Sequence, residues 1–197
     1  MVIPQAAAVQ YLFQQAAVED GHREGAVVVV SAGSVAVAAV SAAEAQDPVG
    51  SKMRTREFLS KLDHDRIVDS IREAESNTSG EIRVYLKRGK LNAEPLVTAQ
   101  KKFRELRMDQ TAGRNAVLIF VAPRAHKFAI VGDKAIHEKC GEEFWLSIVE
   151  RMRTHFKNEK FSHALVEAIR EIGTVLATHF PKTSANANEL ADEIIDE

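Results

Sequence analysis

Residues 113–133 read GRNAVLIFVAPRAHKFAIVGD. The run AVLIFVA is apolar at every position and lacks the alternation of a strand with one wet face, which suits a strand covered by helices on both sides. PRAH supplies a turn, KFAIV reads as a second strand antiparallel to the first, and the stretch ends on a carboxylate, Asp133. Ligand sites on α/β sheets lie beyond strand ends. Asp133 therefore stands where such a site would be, and also where chains simply turn.

Working outward, EIRVYLKR at 81–88 alternates Ile82, Val84 and Leu86 with Glu81, Arg83, Tyr85 and Lys87, which predicts a strand with one face inward. Ser60 is placed to cap a preceding helix carrying Ile67, Ile71 and Ala74, and TSG at 78–80 is placed to end it through its glycine. After the loop GKLNAEP, Leu96, Ala99, Phe103 and Leu106 step by three and four, the period of an amphipathic helix. Beyond Gly132, Phe144, Ile148, Met152 and Phe156 form one helical stripe, widened by Trp145 and Val149. Leu165, Ile169, Ile172 and Leu176 form another, which Pro181 terminates. A strand-helix-strand crossover followed by an antiparallel hairpin implies a three-layer α/β/α sandwich with a mixed central sheet.

The organisation implied is one folded unit over residues 53–181, an acidic extension over 182–197 whose Leu190, Ile194 and Ile195 can dock as one stripe, and a segment of different character before it. Residues 1–52 are dominated by Ala, Val, Ser and Gln, and patterned, charged sequence begins abruptly at Met53 with MRTREFLSKLDHDRIVDSIREAE. The expectation is an extension outside the working domain, as from a mis-assigned start, or a weak signal or anchor segment. The uncharged run from Gly25 to Ala43 is the one place where membrane association is expected, yet it lacks Leu, Ile and Phe, so insertion would be marginal. A chain effectively starting at Met53 is expected in the cytoplasm; a membrane-associated or exported protein is the alternative.

A formal net charge of -2 provides no basic field for phosphate backbone, so nucleic acid is not expected as a partner. The single cysteine, Cys140, excludes an intrachain disulfide framework. DHDRI at 63–67 resembles an aspartate-nucleophile phosphatase signature, but it falls in a helix's first turn, where acids are favoured by the dipole. CGEEFWL at 140–146 has Leu where a cysteine phosphatase needs Arg. His137 and Cys140 have metal-ligand spacing but need two further ligands, and spacing alone brings neither His155 nor His163 to them. The chain has no phosphate-binding P-loop, no Gly-x-Gly-x-x-Gly and no Gly-x-Ser-x-Gly. What remains is the acidic group Asp133, Glu138, Glu142 and Glu143, whose oxygens are of the type that holds Ca2+ or Mg2+. The alternative reading is helix-start acids satisfied by the dipole and water.

Several segments in order resemble the TPM domain, named for thylakoid lumen, photosystem II repair and nematode receptor-accessory members and found in many bacterial proteins. They are Glu75-x-x-TSGEI, GRNAVLIFVA with Asn115 at its start, KFAIVGDKAI, FKNEKFSHAL from Phe156, and the tail NELADEI. The resemblance implies an α/β/α sandwich with a site near the ends of the central strands. It also implies a phosphatase label, from a plant member assigned acid phosphatase activity, and an association with calcium. Many members carry Leu-Pro-Asp near the position of KCGEEF; that Asp is absent here, and Glu142 or Glu143, with a longer arm, is the expected substitute. Two functions are expected from different classes. One is a non-catalytic accessory module that binds a partner protein and a divalent cation. The other is a metal-assisted phosphatase acting on phosphomonoesters through Asp133 and the acids at 138–143.

Overall fold

The computed structural model describes residues 27–32, 35–41, 55–183 and 193–197. Among the described residues, six strands form one mixed sheet in the order β1-β2-β5-β4-β3-β6. They are β1 (Val27–Ala32), β2 (Val35–Ser41), β3 (Ile82–Leu86), β4 (Val117–Ala122), β5 (Lys127–Asp133) and β6 (Ile194–Asp196). β4 pairs parallel with β3 and antiparallel with β5, the crossover and hairpin that the sequence predicts. The helices are α1 (Thr55–Ser60), α2 (His64–Glu75), α3 (Pro95–Glu105), α4 (Lys134–Lys157) and α5 (Phe161–His179). They cover both faces of the sheet, as a three-layer α/β/α arrangement requires.

The apolar run at 117–122 explains why. Val117, Ile119 and Val121 join Ile82, Val84, Leu86, Phe128 and Ile130 in a core closed by α1, α2, α4 and α5. Leu118, Phe120 and Ala122 face the other way, into a second core with Ala99 and Phe103 of α3. Each fully buried Ile, Leu or Phe contributes about 2 kcal/mol, so a strand with no wet face is the most productive in the sheet. β3 departs from the expected pattern for the same reason, because all five of its residues are buried. Tyr85 stacks on Phe120 with ring centroids 5.6 Å apart, lies under Lys102, and donates its hydroxyl to Glu197 at 2.9 Å. Alternation here separates two cores rather than core from water.

Two cap expectations are corrected. Ser60 closes α1, donating its hydroxyl to the Glu57 carbonyl, and the N-cap of α2 is Asp63, whose side chain accepts the Arg66 N–H at 3.1 Å. The glycine of TSG does not terminate α2 with a left-handed turn. A β-carbon at Gly80 would lie 2.5 Å from Leu176 of α5, so close approach is what this position needs. Around it, Thr78 Oγ1 donates to the Phe180 carbonyl at 2.6 Å and Glu75 accepts the Ile82 N–H at 2.6 Å. The segment Glu75-x-x-TSGEI thus fastens the end of α2, the start of β3 and the end of α5 together.

Within the uncharged N-terminal run, β1 and β2 pair antiparallel, and β2 pairs with β5 from Val35 opposite Asp133 to Ser41 opposite Lys127. Residues 1–26, 33–34 and 42–54 lie outside the described residues. In the tail, Ile194–Asp196 adds to β3 as a parallel edge strand, and Arg88 pairs with Asp196. Leu190 lies outside the described residues. No helix among the described residues is long and apolar enough to cross a membrane.

Candidate functional site

Asp133 ends β5 and opens α4. Its backbone N–H donates to the Ala116 carbonyl at 2.9 Å, which anchors the strand end to the start of β4. Its side chain is completely buried. Arg114 reaches it with two parallel hydrogen bonds, Nε to Oδ2 at 2.8 Å and Nη2 to Oδ1 at 3.0 Å. Oδ1 also accepts the Lys134 N–H at 2.7 Å. This fork-to-carboxylate geometry is the strong form of the ion pair. Arg114 adopts a left-handed backbone, φ 49°, and its carbonyl accepts the Ala135 N–H at 3.0 Å, so the loop before β4 closes over the first turn of α4. The paired carboxylate holds the Arg114 guanidinium above its ordinary range.

Beside this pair, Asn115 is fully buried and donates Nδ2 to Ser79 Oγ at 3.2 Å, joining the β4 entry to the β3 entry. Ser79 Oγ faces that amide and the Phe180 carbonyl, neither of which is a general base. The cluster ties the entries of β3 and β4, the end of β5 and the first turn of α4 together.

The other three predicted acids lie elsewhere. Glu138, Glu142 and Glu143 are exposed, and Glu138 is 3.7 Å from the Lys134 ammonium. α4 is broken at Gly141, whose φ of 69° and ψ of -176° place it in a region that L side chains rarely enter. A β-carbon there would meet nothing within 4 Å, so the requirement is conformational, not one of space. Glu142 and Glu143 open the helical stretch that restarts after the break. Among the described residues, no three of Asp133, Glu138, Glu142 and Glu143 bring ligand atoms within 4.8 Å of one another. Asp133 already uses both oxygens on Arg114 and Lys134. The group that does converge is His155, His163 and Glu167, between the end of α4 and the start of α5. Spacing alone exposes half of it, because His163 and Glu167 are four apart on one helix.

Cys140 does not combine with His137 into a ligand group. Its thiol donates to the Ile136 carbonyl one turn back, at 3.0 Å, and burial pushes its pKa up to about 11. Reaction with iodoacetamide at pH 8 is therefore expected to run on the order of a hundredfold slower in the folded protein than in urea, because the thiolate is the nucleophile. Equal rates in the two states would show that the thiol is neither shielded nor suppressed.

The TPM domain family matches residues 53–175. Among solved structures, the chain is similar to the NMR structure of the BA42 protein from the psychrophilic bacterium Bizionia argentinensis sp. nov.. That likeness has 35% sequence identity and a TM-score of 0.63, covering 76% of this chain and 99% of BA42. No curated protein matches the chain.

Proposed function

The chain belongs to the TPM domain family, and on that premise we propose that it is a non-catalytic accessory module that binds a partner protein. The observation that carries this reading is the bidentate Arg114–Asp133 pair. The one acid at the strand end has its charge matched and its oxygens occupied, so it is spent on joining β5, α4 and the loop before β4. A metal-assisted phosphatase needs that carboxylate free to hold a cation that polarises a phosphoryl oxygen. The surface offered to a partner is the exposed lip at Gly141, where α4 breaks and Glu138, Glu142 and Glu143 stand exposed.

The test is phosphate release from p-nitrophenyl phosphate by the purified full chain with Ca2+ or Mg2+, expected to stay at the buffer rate. Turnover abolished by chelation and by Glu142→Gln would replace this reading with the phosphatase. A photo-crosslinking side chain placed at Glu142 in cells is expected to capture one dominant protein that the same group placed at Val97, exposed on α3, does not. Equal capture at the two positions counts against the lip.

A further inference from the structure

We propose that His155, His163 and Glu167 form a binding site for a zinc-class divalent metal ion, with three protein ligands and a fourth position open to water. His155 lies in the last turn of α4 and His163 near the start of α5, with Glu167 one turn further on. The turn between the helices is well braced. Lys160 and Asn158 both donate their N–H groups to the His155 carbonyl, at 2.9 and 3.1 Å, and Glu159, in a left-handed conformation, pairs with Lys61 at 2.7 Å. α5 therefore folds back so that His163 and Glu167, four residues apart on one face, meet the end of α4.

The ligand atoms already converge. Nε2 of His155 is 2.8 Å and Nε2 of His163 is 3.6 Å from the same oxygen, Glu167 Oε2, and the ligand atoms of the three residues lie within 4.8 Å of one another. The imidazole rings stand edge to face, 87° apart with centroids at 4.6 Å, so they do not stack flat against each other. A tetrahedral metal with bonds of about 2.1 Å separates its ligand atoms by about 3.4 Å, a spacing that lies between the two nitrogen–oxygen distances of 2.8 and 3.6 Å.

Glu167 Oε2 is shielded from solvent and receives no hydrogen bond, although His155 Nε2 is at hydrogen-bond distance. A shielded carboxylate oxygen without a donor is costly. A cation between the three atoms would satisfy it and would use the lone pairs of both nitrogens. Two imidazoles and one carboxylate form a donor set found in open zinc sites, and imidazole favours zinc and its transition-metal neighbours over calcium and magnesium. The side chain of His163 is half exposed, which leaves a route of entry. The lip at Gly141 belongs to the other end of α4, so this proposal stands or falls separately from the partner-binding reading.

The experiment is calorimetric titration of the untagged full chain with Zn2+, paired with long-range 1H–15N NMR of the histidine rings. The expected result is one saturable micromolar site per chain, Nε2 resonances of His155 and His163 shifting together, and a higher Tm with metal. Excess Mg2+ should not compete. His163→Ala and Glu167→Gln are each expected to weaken binding at least tenfold. Both positions are at least partly exposed, and Tm measured without metal checks that each variant is folded. No saturable binding at micromolar Zn2+, or undiminished binding in the two folded variants, overturns the proposal.

Discussion

Asp133→Ala is expected to destabilise the protein by about 3 kcal/mol, combining a lost helix cap with two lost charge-assisted hydrogen bonds. The loss should fall short of the largest values for broken buried pairs, because the Arg114 side chain is 46% exposed and can recover solvation. Asp133→Asn keeps the shape and a capping oxygen but not the charge, so it should lose less than the Ala variant. A double-mutant cycle with Arg114→Ala, measured by urea unfolding in EDTA, isolates the pair. A coupling energy above about 1 kcal/mol without metal identifies a tether. Independent effects, with calcium restoring stability to Arg114→Ala but not to Asp133→Ala, would return Asp133 to the role of a cation ligand.

This pair also marks where the sequence stops being legible. The β4 run could be read directly, because a strand with no polar position has to be covered twice. β3 misleads, because nothing near Tyr85 in the sequence announces that α3 and Glu197, distant in sequence, will enclose it. Helix periodicity located α3 and α5 well, yet Ser60 and Asp63 are both acceptable caps, and only the separate turn of α1 decides between them. At the site, proximity to a strand end singled out Asp133. Its partner is 19 residues upstream, in a left-handed loop that a non-glycine residue seldom adopts. The glycine of KFAIVGD serves packing, since a β-carbon at Gly132 would lie 2.7 Å from the Trp145 ring. Motifs that suggest a family site can thus be points of fastening, and their chemistry emerges only once their partners are placed.

Phe58→Ala is expected to cost about 3 kcal/mol, as large-to-small changes at buried aromatics do. Phe58 is 2% exposed, and its ring centroid lies 4.7 Å from Phe161 and 6.4 Å from Phe156, which in turn meets Phe128 of β5 at 5.2 Å. Four aromatic rings thereby join α1, β5, α4 and α5, and Phe58 is the one fully buried residue of α1, with Leu59 partly buried against the same core. The same reasoning predicts where the folded unit begins. The family match starts at Met53, five residues before Phe58. A chain beginning at Met53 keeps the whole cluster and loses the β1–β2 hairpin, which leaves β5 as an edge whose backbone groups water can satisfy. It is expected to unfold in one cooperative transition with a Tm close to that of the full chain, whereas Phe58→Ala in either background should lower Tm by more than 5 °C. If the shortened chain loses its cooperative transition while full-length Phe58→Ala keeps a high Tm, the hairpin and not α1 completes the core, and the domain begins at β1.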